Sequence, residues 1–122
     1  MKTATILVVD DNEDNLSLFD RILVRQGHIV TTAASAEEAL AIDLAKFNLV
    51  ITDVDMGEMD GLTLAGKIRA AHGGAVNVIV MSGELDPTRI ATAKKYGVNI
   101  CLEKPVTAKT LLAAIAESFF GK

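Results

Sequence analysis

The stretch that decides the fold is Thr5-Ile6-Leu7-Val8-Val9-Asp10-Asp11, an apolar run that ends abruptly in two carboxylates. Similar short apolar runs lie at residues 49–52, 78–81 and 98–102, and each is followed by polar residues. A further run at residues 29–32 is more polar. Nearly continuous apolar runs are typical of strands that are buried on both faces of a parallel sheet. We therefore predict five strands, of which the first, third and fourth are buried on both faces.

Amphipathic segments with helix start and stop signals lie between these runs. Proline at position 87 fits the first turn of a helix, where its missing N–H costs no hydrogen bond. Five strand–helix units predict an α/β domain with a doubly wound parallel sheet and helices on both faces. The predicted helix signals are Gly27 as an end, a capping box at Ser35-Ala36-Glu37-Glu38, and N-caps at Asp60, Asp86 and Thr107.

Composition restricts the class of protein further. The 122 residues fit one domain, 1–122, and a hydrophobic content of 50% is enough for a packed core. The net charge of -4 argues against nucleic acid as a direct partner, because phosphate binding needs a basic face. The single cysteine, Cys101, excludes an internal disulfide, and no apolar run is long enough for a membrane span or a signal peptide. We expect a cytoplasmic protein without a membrane partner, provided that Met1 is the natural start.

Four of the five predicted strands are followed by residues that can carry chemistry: Asp10 and Asp11, Asp53, Ser82, and Lys104. The carboxyl ends of parallel strands meet at one edge of the sheet, where α/β proteins bind their ligands. Three carboxylates repel one another unless a cation intervenes, and Mg²⁺ prefers such oxygen ligands. Asp53 then fits a carboxylate nucleophile that forms an aspartyl-phosphate, while Lys104 and Ser82 bind phosphoryl oxygens. Singly, each residue is equally explained as a cap, a turn or a solvated loop, and only their coincidence favours a site.

The motifs around these residues resemble the receiver domains of two-component response regulators, over about residues 4–120. The resemblance implies a flavodoxin-like (βα)5 fold whose five-stranded parallel sheet has the order 2-1-3-4-5. It also implies a single receiver domain with no separate output enzyme domain in this chain. The matching motifs are Leu7-Val8-Val9-Asp10-Asp11-Asn12, Asp53 with Met56, Met59-Asp60-Gly61, Met81-Ser82-Gly83 and Lys104-Pro105.

The resemblance implies a role for each residue of the predicted site. Asp53 would be the phosphoacceptor, and Ser82 and Lys104 would hold the phosphoryl oxygens. Such a domain assists its own phosphotransfer and dephosphorylation and is not otherwise an enzyme. The Mg²⁺ ligands would be Asp10, Asp11, Asp53 and Asp55, of which Asp10 binds directly or through water and Asp55 through its backbone carbonyl.

Partners follow from the same resemblance. The phosphoryl donor would be a phosphohistidine on a sensor histidine kinase or on a histidine-phosphotransfer protein. The Asp-Asn-Glu-Asp-Asn run at 11–15 resembles receivers of hybrid sensor kinases and phosphorelays. A downstream protein target would bind the face made by the fourth helix, fifth strand and fifth helix, which includes Lys94, Lys95 and Tyr96. A phosphorylation-dependent dimer is a further option.

Three departures from the family pattern bear on the mechanism. Cys101 stands three residues before Lys104, where the family usually has an aromatic residue, and is too small to act as an aromatic switch. Gly57 replaces a usual proline and frees the loop that follows the acceptor. Asp55 and Glu84 are acidic residues near the predicted pocket mouth, where they either steer an attacking water or repel phosphate.

Three alternative functions stay open on the sequence. Phosphatases of the haloacid dehalogenase type also form an aspartyl-phosphate on paired aspartates such as Asp53-Val54-Asp55, but their pair follows the first strand of the core. A pseudo-receiver that binds its partner without phosphate conflicts with the complete acidic set, although Cys101 is compatible with it. A flavin-binding protein fits the fold but needs a phosphate-cradling loop after the first strand, where this chain has carboxylates.

Overall fold

Strands and helices alternate along the whole chain. The computed structural model describes residues 3–120, and residues 1, 2, 121 and 122 of the predicted domain lie outside that range. The strands are β1 (Thr5–Val9), β2 (Ile29–Ala33), β3 (Leu49–Asp53), β4 (Asn77–Ser82) and β5 (Ile100–Glu103). The helices are α1 (Glu13–Arg25), α2 (Ala36–Leu40), α3 (Gly61–His72), α4 (Pro87–Lys95) and α5 (Ala108–Phe120), with a 3-10 turn at Leu44–Lys46 before β3.

All five strands are parallel and form one sheet in the order β2-β1-β3-β4-β5, which confirms the predicted topology. β3 lies at the centre between β1 and β4, and its last residue, Asp53, is opposite Met81. The next pair of strands places Ser82 opposite Glu103. This register brings the ends of the central strands to the same edge of the sheet.

Two apolar clusters, one on each face of the sheet, hold the helices in place. Neighbouring strand residues enter opposite clusters because side chains alternate along a strand, as Ile6 and Leu7 do in β1. α1 and α5 cover one face, and α2, α3 and α4 cover the other. β1, β3 and β4 are therefore buried on both faces, as their apolar runs predict. Between residues 3 and 120, no helix combines the length and the apolar character that a membrane crossing requires.

Side-chain caps fix the starts of four helices, as predicted. In each case the capping oxygen accepts a hydrogen bond of 2.8–3.1 Å from the backbone N–H three residues ahead. Gly27, which follows the end of α1, has a φ of 89°, a conformation that glycine adopts without strain. These caps determine where α3 and α4 begin beside the carboxyl edge of the sheet. The capping residues are Ser35, Asp60, Asp86 and Thr107.

β5 begins two residues later than the predicted run at 98–102. The Val98 N–H donates to the Ala93 carbonyl at 3.0 Å, so this residue still belongs to the turn that ends α4. The Asn99 side chain then accepts a hydrogen bond of 2.7 Å from the Val78 N–H, where a strand would use its backbone carbonyl. The prediction was wrong here because apolar character alone does not distinguish a strand from the turn that feeds it.

Gly61, the first residue of α3, packs backbone to backbone against the end of β3. A β-carbon at this position would collide with the Asp53 carbonyl oxygen and would lie 3.0 Å from the Val54 Cα atom. The Gly61 N–H donates to the Val54 carbonyl at 2.9 Å and closes the loop that follows Asp53. Gly57, within that loop, has open space around it and no positive φ. Of these two glycines, only Gly61 is required, because only Gly61 approaches the backbone of β3 closely.

We expect Gly61→Ala to lower the free energy of unfolding by about 1–3 kcal/mol, because the added methyl group must displace the backbone of β3. Gly57→Ala, the matched control, should be neutral or stabilising by up to about 1 kcal/mol, since alanine fits there and restricts the unfolded chain. Urea denaturation measures both changes. Equal stability of the two variants would contradict a special role for Gly61.

Candidate functional site

Three carboxylates come together where β1 and β3 end side by side. Asp10 and Asp11 follow β1, and Asp53 is the last residue of β3. One oxygen of each lies within 4.8 Å of an oxygen of the others. Asp10 and Asp53 are buried, whereas Asp11 is exposed to solvent. The structure thus brings together the predicted acidic cluster.

Asp10 is held by two asparagines that sequence reasoning did not single out for this role. Its Oδ1 atom accepts a hydrogen bond of 2.9 Å from the Asn12 N–H, and its Oδ2 atom accepts one of 3.2 Å from the Asn15 side chain. Asn12 also caps α1 by accepting from the Asn15 N–H at 3.0 Å. The Asn-x-x-Asn spacing directly after the acidic pair is the signal that predicts this arrangement. These bonds fix the Asp10 carboxylate without adding a positive charge.

Asp53 faces a cation on one oxygen and a backbone donor on the other. Its Oδ2 atom lies 3.0 Å from Lys104 Nζ, and its Oδ1 atom accepts a hydrogen bond of 3.3 Å from the Asp55 N–H. Burial raises the pKa of Asp53; Lys104 opposes this shift and the nearby Asp10 charge adds to it. The anionic form of the buried Asp53 carboxylate is therefore less stable than that of a solvent-exposed carboxylate. This favours its reaction with an electrophile.

Ser82 ends β4 with its side chain buried among hydrogen-bond partners. Its hydroxyl donates to the Glu84 carbonyl at 2.9 Å and accepts from the Glu84 N–H at 3.1 Å. It also accepts a hydrogen bond of 2.6 Å from Arg89 Nη1. Backbone pairing ties it to the next strand, because the Lys104 N–H donates to the Ser82 carbonyl at 2.8 Å. A new acceptor at this hydroxyl has to replace the Glu84 carbonyl.

Arg89, in the first turn of α4, reaches across the site to the loop after Asp53. Its Nη2 atom lies 2.7 Å from Asp55 Oδ1, and its Nη1 atom donates to Asp55 Oδ2 at 3.3 Å. The hydrogen bond from Arg89 is the main cause that lowers the pKa of Asp55 below its ordinary value. Sequence reasoning missed Arg89. The available signal was its place three residues after the Asp86 cap, on a helix that begins at the sheet edge.

Two other residues from the sequence analysis, Glu84 and Cys101, lie around this site. The Glu84 side chain is exposed, and its backbone rather than its carboxylate contacts Ser82. Cys101 is half-buried in β5 and packs against the cluster under α3 and α4. Burial raises the pKa of the Cys101 thiol, which keeps it protonated and unreactive.

The oxygen-only donor set fits a hard divalent cation such as Mg²⁺. Mg²⁺ binds oxygens at about 2.0–2.1 Å and usually keeps several waters, so two or three carboxylates at this separation are sufficient after small rotations. Asp10, Asp11 and Asp53 would supply side-chain oxygens. The side chain of Asp55, in contrast, is occupied by Arg89. The expected role of Asp55 through its backbone carbonyl stays a prediction.

Comparisons with known proteins agree with this geometry. Residues 6–116 match the family model described as the response regulator receiver domain. The chain is 31% identical over 121 residues to the sensory/regulatory protein RpfC of Xanthomonas campestris, covering 96% of this chain and 17% of that protein. It is also 31% identical to the two-component response regulator ARR22 of Arabidopsis thaliana, covering 97% of this chain and 85% of ARR22.

A solved structure supports the same relationship. The chemotaxis protein CheY4 of Vibrio cholerae superposes with a TM-score of 0.89 at 28% identity, covering 96% of this chain and 99% of CheY4. The present chain spans only about a sixth of RpfC, at 17%, but most of the shorter relatives.

We expect Asp11→Asn to raise the melting temperature without metal, because it reduces repulsion among the three carboxylates. The same change should weaken Mg²⁺ binding, and a tenfold loss of affinity removes about 1.4 kcal/mol of metal-induced stabilisation. Thermal denaturation with and without MgCl₂ tests both signs. Asp14→Asn, which removes the same charge from an exposed position in α1, is the matched control. Retention of the full metal-induced shift in Asp11→Asn would show that Asp11 is not a ligand.

Proposed function

The chain belongs to the response regulator receiver domain family, and on this basis we propose that Asp53 accepts a phosphoryl group from a phosphohistidine in a Mg²⁺-dependent reaction. The observation that carries the proposal is the position of the Asp53 carboxylate. It is buried at the end of the central strand, 3.0 Å from Lys104 Nζ and within the acidic cluster. The phosphorylated and unphosphorylated forms then bind different protein partners in two-component signal transduction.

In the proposed reaction, an Asp53 oxygen attacks phosphorus and forms a P–O bond while the P–N bond to the donor imidazole breaks. The electron pair of that bond leaves with the imidazole. Lys104 then turns from the carboxylate to a phosphoryl oxygen, and the Ser82 hydroxyl donates to another. Bound Mg²⁺ would neutralise charge on the carboxylates and the phosphoryl group. Hydrolysis by water at the same phosphorus returns Asp53 to its free form.

Residues 1–122 form, in this proposal, one cytoplasmic receiver domain. Its donor is a sensor histidine kinase or a histidine-phosphotransfer protein, and the resemblance of residues 11–15 to receivers of phosphorelays supports a place in a phosphorelay. The downstream target binds the face of α4, β5 and α5, where Lys94 and Lys95 are exposed. Tyr96 of the same face is half-buried against α3, so only part of its side chain is available to a partner. A phosphorylation-dependent dimer would use this face as well.

The change of partner requires a route from Asp53 to α4. Cys101 is half-buried and small, so it does not report phosphorylation by swinging between buried and exposed positions. Ser82 instead bonds the backbone of Glu84, and the loop at 83–86 leads directly into α4. We therefore assign the main route to this loop and the start of α4.

The alternative functions are less compatible with the site. The Asp53-Val54-Asp55 pair lies at the end of the third strand in sequence, whereas the pair of a haloacid dehalogenase-type phosphatase follows the first strand of the core. The Asp55 carboxylate is also bound by Arg89. The carboxylates after β1 disfavour a flavin phosphate. Phosphorylation of the protein distinguishes the proposed function from a pseudo-receiver, which binds its partner without phosphate.

We expect one added phosphoryl group by intact mass after incubation with acetyl phosphate and MgCl₂. The group should be absent with EDTA and in Asp53→Asn, because the nucleophile and the cation are both required. Asp14→Asn should be labelled like the wild type. Equal labelling of Asp53→Asn would contradict the assignment, and an unlabelled wild type would favour the pseudo-receiver.

Amide hydrogen exchange with and without beryllofluoride and MgCl₂ should change mainly at residues 83–96. The reason is that Ser82 must give up the Glu84 carbonyl to bind a phosphoryl-like group. Asp53→Asn, which cannot bind beryllofluoride, should show no such change. Changes confined to α2 and α3, with residues 83–96 silent, would show that the signal leaves by another route.

A further inference from the structure

Both ion pairs that the structure shows within residues 3–120 lie at the site of Asp53. One joins Lys104 to Asp53, and the other joins Arg89 to Asp55. The side chains of Arg89 and Asp55 are 32% and 52% exposed, and a pair with that exposure contributes only about 0–1 kcal/mol to folding. Stability therefore gives little reason for a bidentate pair that joins the first turn of α4 to the loop after β3, 34 residues away in sequence.

The position of the guanidinium suggests a different role. Arg89 Nη1 lies 2.6 Å from the Ser82 hydroxyl, which is the proposed donor to a phosphoryl oxygen. Arg89 Nη1 also donates to the Glu84 carbonyl at 3.1 Å. The guanidinium is thus one hydrogen bond away from the place where the phosphoryl group would arrive.

Charge at this mouth matters because the incoming phosphodonor is an anion. The acidic cluster already places the carboxylates of Asp10 and Asp11 beside Asp53, and Lys104 pairs with Asp53 alone. An unpaired Asp55 carboxylate would add a further negative charge two residues from the acceptor and would repel the phosphoryl group. Arg89 neutralises that charge in place, because its guanidinium lies 2.7 Å and 3.3 Å from the two oxygens of the Asp55 carboxylate.

We propose that Arg89 is a positioning residue of the phosphotransfer site, which acts as the counter-ion of Asp55 and thereby admits anionic phosphodonors to Asp53. This inference rests on the proposed function. It also resolves the two sequence-based options for Asp55: the carboxylate is held by Arg89 and neither steers water nor repels phosphate while the pair is intact.

The test is the rate of Asp53 labelling by acetyl phosphate with MgCl₂, followed by intact mass at low ionic strength. Arg89→Ala should label about three- to tenfold more slowly than the wild type, because Asp55 is left unpaired. The difference should fall below about twofold in concentrated salt, which screens exposed charges. Arg89→Lys keeps the charge and should retain most of the rate. Arg25→Ala, which removes an exposed arginine at the far end of α1, is the matched control and should label like the wild type.

A second substitution separates charge from structure. Asp55→Asn in the Arg89→Ala background should restore most of the lost rate, because the uncompensated charge is gone while its backbone stays. A merely structural role of Arg89 predicts no such rescue and no dependence on salt. Equal rates for Arg89→Ala and wild type at low ionic strength, or a double variant as slow as Arg89→Ala, would overturn the inference. In both cases the labelled wild type shows that the proposed function stands, whereas an unlabelled wild type would overturn the proposed function itself.

Discussion

The parallel register of the sheet forces Asp10, Asp11 and Asp53 to one edge, and the resulting charge is the constraint on which the rest of the site depends. β1 and β3 pair side by side, so their ends cannot separate without unpairing the central strands. Those strands are buried on both faces and lie within the hydrophobic core. The repulsion is therefore maintained by the hydrophobic core and has to be relieved locally, by cations that the chain or the solvent supplies.

Two cations, Lys104 and Arg89, reduce the carboxylate repulsion at different depths of the site. At the bottom of the site, Lys104 sits against the buried Asp53, yet the pKa of that carboxyl is still raised because burial outweighs the lysine. In the proposed phosphotransfer, a lysine suits this position because its compact ammonium on a flexible stem can move from the carboxylate to a phosphoryl oxygen. At the mouth, Arg89 uses its planar fork to hold Asp55 by two bonds, which suits a fixed contact rather than a moving one. A mobile lysine thus lies beside the acceptor, and a fixed arginine lies at the mouth of the site.

Local sequence signals account for most of the fold, and tertiary contacts account for what was missed. Each helix cap depends on atoms three residues apart, so the caps at Ser35, Asp60 and Asp86 can be predicted from the sequence alone. The strand order came from the family resemblance, because periodicity does not decide which strands pair. Arg89 was missed because its partner lies 34 residues away in sequence, and β5 began late because a side chain of Asn99 replaced a backbone bond. The acidic cluster was predictable since topology alone brings strand ends together.

The lack of an aromatic residue at position 101, where this chain has Cys101, matters less because α3 and α4 both begin at the site of Asp53. α3 starts at Gly61, whose backbone lies against the Asp53 carbonyl, and the first turn of α4 contains Arg89, whose guanidinium binds Ser82. Farther along, a β-carbon at Gly66 would lie 3.1 Å from the Tyr96 ring, so the C-terminal turn of α4 is closely packed on α3. A displacement at the start of α4 would therefore leave the end of the helix held at Tyr96. In the proposed function, Tyr96 rather than an aromatic residue in β5 would hold the end of α4 while its first turn responds to the phosphoryl group.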